Sequence, residues 1–263
     1  MKNMLEKLDR AREALNHTSV VCLTMDIDWA SEYAIEQALT ILKKRGLPVT
    51  VFVTHKSAVI DAALSAGKIK CGIHPNFMPG SSQGNTYQEI VDFCFDLLPN
   101  ARLFRAHRYY DGNDPMEVLT RHGIVCESNI CTLMDILPPF LHRSQTVSFP
   151  IFWEDGAYLF YYGGEVMHGY DAFWRRFKKP GLKVINMHPM HLMLNTPYFS
   201  YTREIKDRLS REEWNHLDQD QIAKLRYGGE GITTFIEKML DDIKNAQVKT
   251  EYLEDVYDWI TQL

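Results

Sequence analysis

The sequence predicts an α/β fold built on a parallel sheet or barrel, and three observations carry that reading. Apolar runs rich in β-branched residues alternate with amphipathic segments of helical period along most of the chain. Helix stop signals separate them, with Gly46 and Pro48, Gly67, Pro99 and Gly123 each falling where a helix should give way to a strand. One strand after another also ends in a polar side chain capable of chemistry, the arrangement that parallel barrels carry at one face.

MKNMLEKLDRAREAL places Met4, Leu8, Ala11 and Leu15 at helical spacing, so a helix is expected over about 2–15. VVCLTMD follows as a strand, then a helix near 31–45, the strand VTVFVTH, a helix near 57–66 and the strand IKCGIHP. The alternation continues through a helix near 86–98, LFRAH, a helix near 114–122 and IVCES. TVSFPIFWEDGAYLFYYGG is rich in β-branched and aromatic residues and reads as one or two further strands of uncertain register. LKVINMHP reads as a strand stopped by Pro189, and the polar stretch after it, about 195–228 with a helix near 210–225, reads as a helical insertion. The helix ITTFIEKMLDDIKNA, the strand VKTEY and the helix LEDVYDWITQL close the chain. RYGGEGI follows no strand and lacks the Gly-Lys-Ser/Thr ending of a phosphate loop, so it reads as a flexible connection.

With 263 residues, 45 % of them hydrophobic and 24 % charged, the composition is that of a globular protein with a large core. No linker-like stretch divides it, so one domain over 1–263 is expected. A net charge of −5 without a basic block argues against nucleic-acid binding. Arg175, Arg176, Lys178 and Lys179 read as a solvated helix face. Cys22, Cys71, Cys94, Cys126 and Cys131 form no C-x-x-C pair, and an odd, scattered set fits a reducing compartment. With no bilayer-length apolar run and no signal-peptide pattern at the amphipathic start, a cytoplasmic protein is expected.

The chemistry gathers at the strand ends. In VVCLTMDIDW, alternation would put Val20, Cys22, Thr24, Asp26 and Asp28 on one face, apolar at first and acidic at its end. Two carboxylates so close repel unless a cation or a proton shares the site. The competing expectation is that they cap the helix beginning near Ser31 and Glu32. Later strands end in His55, His74, Arg105 with His107, Glu127 and His188. Imidazoles with carboxylates suit zinc or a related divalent ion, and a catalytic site needs three protein ligands with one position open to water. H-E-x-x-H and a nucleophile elbow are both absent, so hydrolysis by metal-activated water is favoured over covalent catalysis.

At these residues the chain resembles the polysaccharide deacetylases of carbohydrate esterase family four, the NodB-homology group, and especially its WbmS-type branch linked to O-antigen biosynthesis. The resemblance implies a distorted (β/α)7 barrel that removes an N-acetyl group from a sugar or glycan precursor with the help of a divalent metal, zinc first. TMDID resembles the family's T-F-D-D-G element, which implies Asp26 as catalytic base and Asp28 as metal ligand. GIHPNF resembles the start of the H-S/T-x-x-H element and implies His74 as a ligand. FRAHRYY resembles R-x-P-x-G, so Arg105 would orient the base, while His107 stands where the family has proline. VINMHP resembles the late L-x-H element and implies His188 as catalytic acid.

The family's second metal histidine would fall near Met78, which leaves His107, Asn76 and His55 as candidates for the third ligand. His107 is the choice, because imidazole binds zinc better than a neutral amide and His107 shares the inward face with Arg105. Trp29, Tyr109, Tyr110, Phe152 and Trp153 are candidates for lining a sugar site, against the plainer expectation of barrel packing. Two rival functions remain: a sugar-binding pseudoenzyme that has lost the metal, and a metal-independent glycosidase using Asp26 with Glu127.

Overall fold

The structure, a computed structural model, describes residues 2–263. Its first half follows the expected alternation: α1 (Lys2–Leu15), β1 (Ser19–Asp26), α2 (Glu32–Lys43), β2 (Val49–Val53), α3 (Ala58–Ser65), β3 (Lys70–Ile73), α4 (Tyr87–Leu97), β4 (Leu103–Phe104), α5 (Asn113–Arg121) and β5 (Cys126–Glu127). The second half holds β6 (Phe140–Leu141), β7 (Val147–Ser148), β8 (Ile151–Glu154), α6 (Asp155–Tyr162), α7 (Tyr170–Phe177) and β9 (Gly181–Met187). It ends with α8 (Pro189–Leu194), α9 (Tyr201–Lys206), α10 (Arg211–Asn215), α11 (Gln219–Leu225), α12 (Ile232–Asn245), β10 (Lys249–Thr250) and α13 (Leu253–Gln262).

The strands form one curled sheet in the order β6-β7-β5-β4-β3-β2-β1-β9-β8, with β10 added to the start of β1. Every pairing is parallel except β6 with β7. Beyond β5 the chain runs alongside β8, where Cys131 bridges Ile151 and the Thr132 amide donates to the Ile151 carbonyl at 2.8 Å, so the sheet curls back toward itself.

β1 is buried on both faces, as a central parallel strand must be. Val21, Leu23 and Met25 pack outward against α2, α8 and α12. Val20 and Cys22 join Phe52 and Leu103 in an inner cluster, to which Leu8, Ala11 and Leu15 of α1 and Val256, Tyr257 and Ile260 of α13 also belong. Helices therefore fill the end of the inner face where β1 begins, and the other end is left for polar groups.

Three sequence expectations fail locally. DGAYLFYY is helix α6, not strand, because Glu154 caps it by accepting from the Ala157 amide at 2.6 Å. β9 ends at Met187, as the stop at Pro189 predicts, and Pro189 then opens α8 at the first helical position, where a missing N–H costs nothing. The single helix expected near 210–225 is two, each with its own capping box, Ser210 with Glu213 and Asp218 with Gln221. RYGGEGI is tethered, since Asn195 Nδ2 donates to the carbonyls of Tyr227 and Gly229 at 3.1 and 2.8 Å. Gly231 is required there, because a Cβ would lie 2.0 Å from the Asn195 carbonyl oxygen. All five cysteines are free.

Candidate metal centre and active site

Asp26 ends β1 on the inner face at 1 % exposure, and Arg105, just past β4, faces it at 0 %. Arg105 Nη1 donates to Asp26 Oδ1 at 2.8 Å, to Thr24 Oγ1 at 2.9 Å and to Asn186 Oδ1 at 2.6 Å. Nε donates to the Ser128 carbonyl at 2.8 Å, and Nη2 to the Ser128 hydroxyl at 2.9 Å. The other oxygen of Asp26 accepts from Asn186 Nδ2 at 2.8 Å. Burying a charge pair without such bonds is costly, and here the donors and acceptors are matched. Thr24 shares the β1 face of Asp26, as the alternation predicts, whereas Asn186, two residues before His188, was not anticipated.

The expected alternation from Asp26 to Asp28 does not hold. The strand ends at Asp26, and Asp28 and Trp29 adopt left-handed conformations with φ of 40° and 55°, which turns the Asp28 carboxylate across the strand ends. Neither aspartate caps α2; Ser31 does, accepting from the Ala34 amide at 3.3 Å. Asp28 Oδ1 lies 3.2 Å from His74 Nε2 and 3.1 Å from His107 Nδ1. One potential ligand atom from each of these three residues lies within 4.8 Å of the others. Burial opposes ionisation of Asp28, but the charge and hydrogen bond of His107 and the bond to His74 hold its carboxyl well below the usual range.

Of the other two candidates for the third ligand, His55 turns its Nδ1 to the Thr54 hydroxyl at 2.8 Å, and Asn76 Oδ1 accepts from the Met78 amide at 3.1 Å. His107 opens a short 3₁₀ turn in which Arg108 and Tyr109 have φ of 58° and 55°.

His188 follows β9 and is oriented by Asp155, a residue the sequence reading missed. Its backbone amide and Nδ1 lie 2.7 and 2.6 Å from the two Asp155 oxygens, and Asp155 is 0 % exposed. Nε2 is left facing Asp28 Oδ2 at 3.8 Å and Asp26 Oδ2 at 3.9 Å. Burial alone would push the His188 imidazole down, but Asp155, and behind it Asp28 and Asp26, hold it well above its ordinary value. His191 packs edge-on against His188 at 5.5 Å and is pushed down to about 4 by burial. Asp155, His188 and His191 form a second group with metal-ligating atoms, yet both oxygens of Asp155 are engaged by His188.

These groups line a cavity of about 260 Å³ that includes Asp26, Asp28, His74, His107 and His188. Of the five aromatic candidates, Tyr109 lines this cavity and Trp29 the recess beside it. Tyr110 packs on Phe77 and Tyr87, while Phe152 and Trp153 are core residues at 1 % and 0 % exposure. Phe199, on the cavity wall and 54 % exposed, was not foreseen. Glu127 is absent from the lining; its Oε2 accepts from the Asn129 amide at 2.7 Å, and burial pushes its carboxyl up to about 7.

The profile of the WbmS-like polysaccharide deacetylases matches residues 23–205, a segment that contains every residue of this cavity. The chain belongs to that family. No curated protein sequence matches this WbmS-like chain. Among solved structures it is similar, at 23 % identity and a TM-score of 0.70, to a Bordetella bronchiseptica protein described as a WbmS polysaccharide deacetylase involved in O-antigen biosynthesis, covering 89 % of this chain and 94 % of that one. A 4-alpha-glucanotransferase from Thermococcus litoralis shares the fold at 8 % identity and a TM-score of 0.52, over 91 % of this chain and 38 % of the other. A Bacillus anthracis pseudoenzyme of carbohydrate esterase family four matches at 13 % identity and a TM-score of 0.47, over 92 % and 66 %.

Proposed function

We propose that this chain is a metal-dependent deacetylase that hydrolyses the N-acetyl group of a sugar or glycan precursor in surface-polysaccharide biosynthesis, with O-antigen formation the pathway its WbmS-like membership favours. The observation that carries the reading is the convergence of Asp28, His74 and His107 between two separately supported groups, Asp26 with Arg105 and His188 with Asp155. Two imidazoles and a carboxylate whose donor atoms meet around one point fit zinc with a position left open. A divalent ion held there would polarise water and the acetyl carbonyl and offset the charge that develops on the carbonyl oxygen.

The rest of the chemistry belongs to the side chains. Asp26, fixed through both oxygens, takes the proton of the attacking water as its oxygen bonds to the acetyl carbon. His188 then gives its Nε2 proton to the sugar nitrogen as the C–N bond breaks, leaving acetate and a free amine. Asp155 keeps that imidazole protonated and aimed. Arg105 reaches no substrate; it holds Asp26 in place.

The glycosidase reading through Glu127 loses its support, because that residue does not line the cavity. We assign the protein to the cytoplasm on its five unpaired cysteines, and no helix of residues 2–263 is long and apolar enough to cross a membrane. The deciding experiment incubates the zinc-loaded protein with N-acetylated hexosamines and measures acetate. Release that disappears in Asp26→Asn supports the reading; tight sugar binding without acetate release from any of them returns the pseudoenzyme alternative.

A further inference from the structure

Beside the catalytic cavity lies a second recess of about 330 Å³, and Asp28 lines both. Its outer wall comes from the region of α9 and α10 and brings Arg203, Lys206 and Arg211 together in a chain whose net charge is −5. Arg203 is engaged by Asp207, Nε to Oδ1 at 2.7 Å. Lys206 and Arg211 have no carboxylate partner within salt-bridge distance among the described residues; Lys206 Nζ instead lies 4.5 Å from the centre of the Trp214 ring. Trp214 is 5 % exposed and its indole Nε1 has no hydrogen-bond acceptor, an uncommon state for a buried donor. Trp29 connects the two spaces, lining the recess while its ring meets His107 edge-on at 5.3 Å.

A neutral sugar lying across these groups would desolvate two cations without giving them a partner. An oxyanion would pair with both, and a guanidinium suits phosphate or carboxylate oxygens in particular. Lys206 also lines a small crevice with Asp28 and His188, so the cation borders the catalytic groups themselves. Lys206 and Arg211 lie just beyond the matched segment 23–205.

We propose that this recess is a subsite for an oxyanion carried by the substrate, either a phosphate on the anomeric oxygen or a ring carboxylate, bound by Lys206 and Arg211. The subsite rests on the deacetylase reading and narrows its substrate to an acidic or phosphorylated N-acetylated sugar.

The test is calorimetric titration of the zinc-loaded protein with N-acetylglucosamine, N-acetylglucosamine 1-phosphate and N-acetylglucosaminuronic acid, at low and high salt. At least one charged probe should bind about tenfold more tightly than the neutral sugar, with the advantage shrinking as salt rises. Which charged probe binds better identifies phosphate or carboxylate as the source. Lys206→Met with Arg211→Met should erase the advantage while leaving neutral-sugar affinity in place, and Lys206→Arg should keep it. Equal affinity for all three probes, an advantage that survives the double substitution, or no binding of either charged probe overturns the subsite. Acetate release measured in parallel separates the two readings. Turnover of the neutral sugar without charge preference sinks the subsite alone, whereas charge-selective binding without acetate release from any probe sinks the deacetylase reading alone.

Discussion

Asp155 determines what His188 can do, and the pair gives the sharpest expectation at residue scale. Because Asp155 holds the imidazole above its ordinary value, the acid form persists to higher pH than a free histidine allows. Replacing Asp155 by Asn removes the charge that raises it, so His188 should lose its proton at lower pH. The alkaline limb of the kcat/KM profile should therefore move down, and turnover should fall by about 10²- to 10⁴-fold with metal content unchanged. An alkaline limb at the wild-type position would show that His188 is not the acid. Arg105 makes a different expectation. Arg105→Met leaves Asp26 charged, buried and short of a partner, which costs about 3–5 kcal/mol, so thermal denaturation should show a large fall in Tm. Asp155 was illegible in the sequence because WEDGAYLFYY has the composition of a strand, and its one helical cue is a capping glutamate just before it.

Among the elements, β5 carries a liability. Glu127 is raised to about 7 by burial, and its Oε1 has no hydrogen-bond partner. An unfolded glutamate ionises near pH 4.5. Between that pH and about 7 the native state therefore binds more protons than the unfolded one, and stability falls as pH rises through this window. Glu127→Gln should flatten this slope and raise stability above pH 7 by roughly 1–3 kcal/mol. Urea titrations at pH 5 and pH 8 check it, and an unchanged difference between the two pH values would reject the assignment. The strands themselves were legible because central parallel strands are apolar throughout and their helices have clean periods. The two-residue β6 and the division of residues 211–225 into α10 and α11 were not, since neither has enough apolar pattern to stand out from its surroundings.

For the whole molecule, an ion that binds only the folded state stabilises it by mass action. Chelation with EDTA should lower Tm and added zinc restore it, while His74→Ala and His107→Ala should lose both the shift and most of the bound metal. A full zinc response in both variants would reject this ligand set. That Asp26, His74, Arg105 and His188 would meet was legible in the sequence because barrel topology gathers strand ends at one face. The sequence hid the turn that aims Asp28, since a left-handed aspartate leaves no mark in a hydropathy pattern. The sheet's return along β8 has a consequence for motion. That seam is held by one bridge, irregular amide bonds at Thr132, Met134 and Ile151 and the Thr132 hydroxyl, so these amide protons should exchange with deuterium earlier than those of β1. Ser128, whose carbonyl anchors Arg105, also donates its hydroxyl to the Phe149 carbonyl close to that seam. Each transient parting of the seam would therefore loosen the arginine that steadies Asp26, and the molecule's breathing and the proposed base would share one hinge.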